Sequence, residues 1–193
     1  MRKFYGSVFT VGLLASGFAV APLLTDYHWE NPVTGNWNSS TLWNPDGVPN
    51  GAGNSAIIDA TGAGYTVVLN INLVDLDALV VDSPDATLAA TGLSIGADSV
   101  SFLAGRVSLV TSTINSGTPV TNAANFDLFG SPVVNGGLVN SGTISILGAS
   151  VHTAFTSNNG LTNSGTLFMN NSGGGYNVDL YVNGGSLTNS SGG

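Results

Sequence analysis

Apolar residues in this chain come in short bursts, and the bursts are too brief for helices. From residue 55 onward the runs are Ala56-Ile-Ile58, Tyr65-Thr-Val-Val-Leu69, Ala78-Leu-Val-Val81, Thr87-Leu-Ala89, Val100-Ser-Phe102, Val107-Ser-Leu-Val110 and Val178-Asp-Leu-Tyr-Val182. Most are three to five residues long, rich in Val, Ile, Leu and Thr, and bounded by Gly, Asp, Asn or Ser, which predicts strands. Leu93-Ser-Ile95 and Ile144-Ser-Ile146 alternate, placing one face inward and one in water. A sandwich of antiparallel sheets also uses short strands at this spacing. What favours another architecture is a repeated phrase. Val120-Thr-Asn-Ala-Ala-Asn-Phe-Asp-Leu128 returns as Leu138-Val-Asn-Ser-Gly-Thr-Ile-Ser-Ile146, as Leu161-Thr-Asn-Ser-Gly-Thr-Leu-Phe-Met169, and begins again at Leu187-Thr-Asn-Ser-Ser191.

The anchoring asparagines are Asn122, Asn140, Asn163 and Asn189, so the steps are 18, 23 and 26 residues. A period of that size marks stacked units, each unable to bury its apolar face alone. With no helical pattern between the strands, the units are the coils of a β-solenoid. Residues 56–193 hold about six coils of roughly 22 residues, a rod on the order of 30 Å long. Asn122, Asn140 and Asn163 are expected at equivalent corners of successive coils, with their amides bonding from coil to coil. Gly142 and Gly165 are expected to supply positive φ at the next turn, and the copies with Ala124 and Ser191 to have less regular corners. Phe126, Ile144 and Leu167 should share one interior column.

Composition agrees with this and narrows the function. Only 7% of residues are charged, against about 25% in an average soluble protein, so solubility rests on Asn, Ser, Thr and Gly. Ten of the eleven acids are Asp and the one Glu is Glu30, a balance that disfavours helix. Twenty-seven glycines without a three-residue period exclude collagen. Beyond Arg2 and Lys3 the sole cation is Arg106, too little to neutralise phosphates or an anionic membrane, which excludes nucleic acid as a partner. The absence of Cys removes disulfides, thiolate metal sites and cysteine nucleophiles.

Two segments differ from the coils. Residues 1–21 read as a secretory signal: Arg2-Lys3, then an uncharged run, with small residues allowing cleavage after Ala19 or Ala21. The run is also long enough for an uncleaved anchor, or for a buried core segment; after cleavage no membrane insertion is expected. Residues 22–55 hold Trp29, Trp37 and Trp43 with Pro45, Gly47 and Pro49, predicting a looped cap over the first coil.

These features together, Gly35-Asn-Trp37, Leu42-Trp-Asn-Pro-Asp-Gly-Val-Pro49, Tyr65–Leu69 and the Leu-x-Asn-Ser-Gly-Thr repeats, resemble large exported bacterial β-helix proteins. These include autotransporter-passenger-like and filamentous-haemagglutinin-like adhesins and PEP-CTERM-type surface proteins. The resemblance covers nearly the whole chain, but its motifs are architectural and carry no catalytic residues. It implies an all-β, right-handed parallel β-helix with a leader helix, secreted or associated with the bacterial cell surface or outer membrane. The final Ser190-Ser-Gly-Gly193 falls within a repeat, so a fragment of a longer protein, truncated at the C-terminus, is expected. Such an open coil invites end-to-end self-association.

Candidate chemistry is sparse. Asp75, Asp77, Asp82 and Asp85 form the densest acidic cluster, which fits either calcium between turns or solvent-facing aspartates. Gly174-Gly-Tyr-Asn-Val-Asp-Leu-Tyr181 echoes a calcium nonapeptide in a single copy. His28 and His152 lie far apart in sequence, and no Gly-x-Ser-x-Gly elbow accompanies them. Trp37 and Trp43 fit either cap packing or stacking on sugar rings. The reading that follows is a non-enzymatic, structural or adhesive surface solenoid without catalytic, cofactor or metal residues. Its partner would be a glycan or another cell-surface protein. The alternative is a carbohydrate-binding or glycosidase- or lyase-like β-helix.

Overall fold

Each short apolar run pairs with the run about twenty residues further on, always in parallel register through the body. The computed structural model describes residues 24–148, 151–171 and 175–190. The expected signal peptide, with the expected leader helix and both candidate cleavage positions, falls outside those residues. The described residues are all-β with almost no helix, stacked as a parallel solenoid of about six turns.

Two sheets run the length of the stack. In the seven-stranded sheet, Val67 pairs with Leu88, Leu88 with Val107, Val107 with Phe126, Phe126 with Ile144 and Ile144 with Leu167. Every member of that column is fully buried except Leu167, which is partly covered in the last described coil of this sheet. A second inward column runs Leu69, Ala90, Leu109, Leu128 and Ile146. Because side chains alternate along a strand, one apolar column excludes the neighbouring residues to the outside, and Thr143–Leu147 accordingly alternates between partly exposed and buried positions. The expected column of Phe126, Ile144 and Leu167 is present.

The thirteen-stranded sheet branches, and the branch sets the shape of the side wall. Leu73–Val81 and Ser94–Phe102 are nine residues each. In the following coil, Ser94–Phe102 faces two separate strands, Thr113–Ser116 and Val120–Asn122. Between them, Gly117-Thr-Pro119 interrupts the run, since Pro lacks the N–H a ladder needs. Later coils keep this three-strand form. Their corners carry positive φ at Gly136 (110°), Gly137 (86°), Asn159 (71°) and Gly160 (97°), a region only Gly and Asn enter readily.

The tryptophan segment lies at the N-terminal end of the stack and is less looped than the sequence suggests. Thr25–Trp29 adds to Asn54–Ile58 in parallel, and Gly35–Asn36 adds to Tyr65–Leu69. Trp43–Asn44 then pairs antiparallel with Thr25–Trp29 and occupies the edge that another parallel strand would need. Trp29, Trp37 and Trp43 are buried edge-to-face, with ring centroids 4.9 and 4.7 Å apart. Each indole N–H finds a carbonyl: Val33 for Trp29, Pro49 for Trp37 and Trp37 for Trp43. Aromatic area and satisfied donors together hold the segment down.

The glycines of the repeated phrase need correction. Neither Gly142 nor Gly165 has positive φ. Both are glycine because coils approach closely there: a Cβ on Gly142 would sit 2.4 Å from the carbonyl carbon of Ala123, and one on Gly165 would overlap the Gly142 carbonyl oxygen at 2.1 Å. Nor is the Ala124 corner irregular, since Asn122 pairs with Asn140 in the same register that Asn140 keeps with Asn163.

Ile144→Asp places an unpaired carboxylate in a fully buried column and is expected to cost several kcal/mol. Ile144→Val should cost about 1 kcal/mol. Urea denaturation of the two variants distinguishes them; equal midpoints would contradict the interior column.

Candidate functional site

Asparagine recurs at two corners of the coil, and the resulting amide ladders frame the side wall. The inner ladder is the one the repeated phrase predicts. Asn122 Nδ2 donates to Asn140 Oδ1 at 2.6 Å, Asn140 to Asn163 at 2.6 Å, and Asn163 to Asn189 at 2.8 Å. Asn122, Asn140 and Asn163 are buried, so the two bonds among them form where water does not compete. The Nδ2 groups of Asn122, Asn140 and Asn163 also reach the carbonyls of Ala124, Gly142 and Gly165, which ties the turn to the ladder. The ladder stops at Phe102, the register partner of Asn122 in the preceding coil, and Asn122 Oδ1 is buried without a partner.

A second ladder runs along the outside and was missed in the sequence. Asn183 donates to Asn158 at 3.2 Å, Asn158 to Asn135 at 2.6 Å, Asn135 to Asn115 at 2.7 Å, and Asn115 to Ser94 Oγ at 3.0 Å. Its signal is an Asn-x-Gly triplet at Asn115, Asn135, Asn158 and Asn183, with steps of 20, 23 and 25 residues. The stronger Leu-x-Asn phrase that follows each triplet draws attention away from it.

Beside the start of this outer ladder lies a cleft of about 320 Å³. Its walls are Asp75, Asp98, Asn115, Ser116 and Asn135, and its floor is Gly96, Ala97 and Gly117. Asp75 reaches it from a bulge between Leu73 and Leu76, where its φ is 53°. Gly96 and Gly117 let neighbouring coils lie close here: a Cβ on Gly96 would be 3.2 Å from the Leu73 carbonyl oxygen, and one on Gly117 3.1 Å from that of Asp98. Ser116 Oγ is buried without a hydrogen-bond partner.

The acidic cluster of the sequence does not converge. Asp77 Oδ1 accepts from the Gly53 N–H at 2.8 Å and Asp85 Oδ2 from the Gly62 N–H at 2.9 Å, so each fastens the coil before it. Asp82 is exposed, and Asp75 belongs to the cleft. Among the described residues no three His, Cys, Asp or Glu side chains come together as a metal site. Of the nonapeptide-like stretch, Gly174 lies outside the described residues, and Asp179 pairs with His152.

Each base of the described residues is paired to an acid in the next coil. His28 Nδ1 lies 2.9 Å from Asp59, Arg106 Nε 2.9 Å from Asp127 and His152 Nε2 3.4 Å from Asp179. The geometry recurs: the acid stands two residues beyond the base's register partner, as with Arg106 opposite Asn125 and His28 opposite Ile57. These are diagonal clamps between coils. No serine hydroxyl bonds to either histidine among the described residues; the buried Ser83 donates to the Ala60 carbonyl, as does the Tyr65 hydroxyl. Burial pushes the Tyr65 phenol above its ordinary value; the hydrogen bond with Ser83 opposes this, while the Asp59 and Asp85 carboxylates add to it. Trp37 and Trp43 have no exposed face, so neither forms a platform for a sugar ring.

Comparison with family models, with curated proteins and with solved structures returns no match. Among the described residues no helix is long and apolar enough to cross a membrane.

The two ladders separate by burial. Asn140→Ala removes the partner of Asn122 Nδ2 and of Asn163 Oδ1 and should cost about 3 kcal/mol. Asn115→Ala breaks exposed bonds and should cost under about 1 kcal/mol. Chemical denaturation measures both; an inner-ladder variant as stable as the outer one would count against the buried network.

Proposed function

We propose that this chain is an exported, non-enzymatic rod with a structural or adhesive task, secreted or held at a bacterial surface. The single observation that supports this most is where the polar groups go. The amides of both ladders, Asp77 and Asp85, and the three base–acid pairs all bond from one coil to the next. A catalytic centre instead needs a base, an acid or a nucleophile left aimed at a substrate. Polar groups spent on cohesion make the stack stiff along its axis, which is what a surface spacer or adhesin requires. The resemblance to autotransporter-passenger-like, filamentous-haemagglutinin-like and PEP-CTERM-type surface proteins points the same way, and it supplies the export and surface part of the proposal.

A second reading is carbohydrate binding. It draws on the cleft at Asp75 and Asp98, which is lined by carboxylates, amides and a hydroxyl. In this reading the wall of the rod carries a ligand, whereas in the first it need only hold its shape.

Protease treatment of intact bacteria expressing the tagged full chain tests export, and reducing-sugar release from plant and microbial polysaccharides tests turnover. Accessibility of the rod from outside together with no sugar release is expected. Retention inside the cell, or cleavage of any polysaccharide by the purified protein, would falsify the proposal.

A further inference from the structure

We infer that the cleft between Asp75 and Asn135 is a binding site for an uncharged oligosaccharide laid along the rod axis. This deepens the carbohydrate-binding reading and rests on it. The walls come from four successive coils through Asp75, Asp98, Ser116 and Asn135, so the cleft runs roughly 14 Å along the stack. That is an elongated shape suited to a chain of rings more than to a single ion.

The chemistry of the walls selects the ligand class. An amide has two N–H donors and two acceptor lone pairs. Asn115 gives one N–H to Ser94 and accepts one from Asn135, and Asn135 gives one to Asn115 and accepts one from Asn158. Each amide is thus fixed in orientation by the outer ladder and keeps one donor and one acceptor. Ser116 Oγ is buried with no partner, and Asp75 and Asp98 add acceptors. Fixed donors and acceptors side by side match hydroxyl groups, which need both, and their order before binding lowers the entropy lost on binding. An anion is repelled by the two carboxylates, and Arg106 is no part of the lining. A calcium ion needs six to eight oxygens, and the amide N–H groups in the same wall oppose it. With no aromatic ring in the lining, binding rests on hydrogen bonds alone and is weak for a single short sugar.

Amide chemical shifts of the full chain, recorded against cellohexaose, laminarihexaose, maltohexaose and chitohexaose, test the assignment. At least one of these should move the Gly96, Ala97 and Gly117 signals saturably and equally well with chelator present. Asp98→Ala should weaken that sugar at least tenfold and Ser116→Ala severalfold, with neither melting temperature changed, because neither side chain holds the coils together. Three results overturn the inference: no sugar moving these signals, sugars moving only signals elsewhere, or calcium alone moving them while sugars do not. Should surface display persist without sugar binding, the cleft assignment falls and the rod proposal stands.

Discussion

Parallel register from one coil to the next is the constraint on which every other feature depends. A strand stacked in parallel on its copy must put like above like, because a shift of one residue would turn its whole apolar set to the outside. Val67, Leu88, Val107, Phe126, Ile144 and Leu167 satisfy this as one column. The sizes vary along it, from Val to Phe, and the neighbouring columns absorb the difference; Phe102 meets Phe126 with ring centroids 5.2 Å apart. The same rule governs polar residues. A single buried Asn would leave its amide unsatisfied, whereas a column of them satisfies one another at each step.

That explains why the asparagine column is both stable and bounded. Its upper limit is Phe102, and the cost appears as the unpartnered Oδ1 of Asn122. Beyond Phe102, toward the N-terminal end, the same column is apolar, with Val81 opposite Phe102. The change coincides with the coil where one nine-residue strand gives way to two shorter ones. From that coil on, the Asn amides reach carbonyls of the turn that follows their own strand, at Ala124, Gly142 and Gly165.

Much of the architecture was legible in the residues, and the reasons for the gaps are physical. The inner Asn ladder and the Phe126, Ile144, Leu167 column follow from one phrase, since stacking repeats the phrase in space. The outer ladder did not stand out, because Asn115, Asn135, Asn158 and Asn183 sit in turns where Asn is common for other reasons. Gly142 and Gly165 were read as conformational, yet proximity to the coil before them decides their identity; that distance exists only in the assembled stack. The cleft was invisible for the same reason. Asp75 and Asp98 are 23 residues apart, and stacking of adjacent coils with the bulge between Leu73 and Leu76 brings them to one hollow.

Cysteine cross-linking measures the register directly, because the natural chain has no Cys to confuse it. Thr121 and Val139 are register partners on the outer wall, as are Val139 and Thr162. Neighbouring rungs lie about 4.8 Å apart, within the Cα separation a disulfide spans, whereas two rungs exceed the limit of about 7 Å. Under mild oxidation, Thr121→Cys with Val139→Cys should close readily, and so should Val139→Cys with Thr162→Cys. Thr121→Cys with Thr162→Cys should stay reduced. Closure of the two-rung pair, or failure of both one-rung pairs, would contradict the parallel stack.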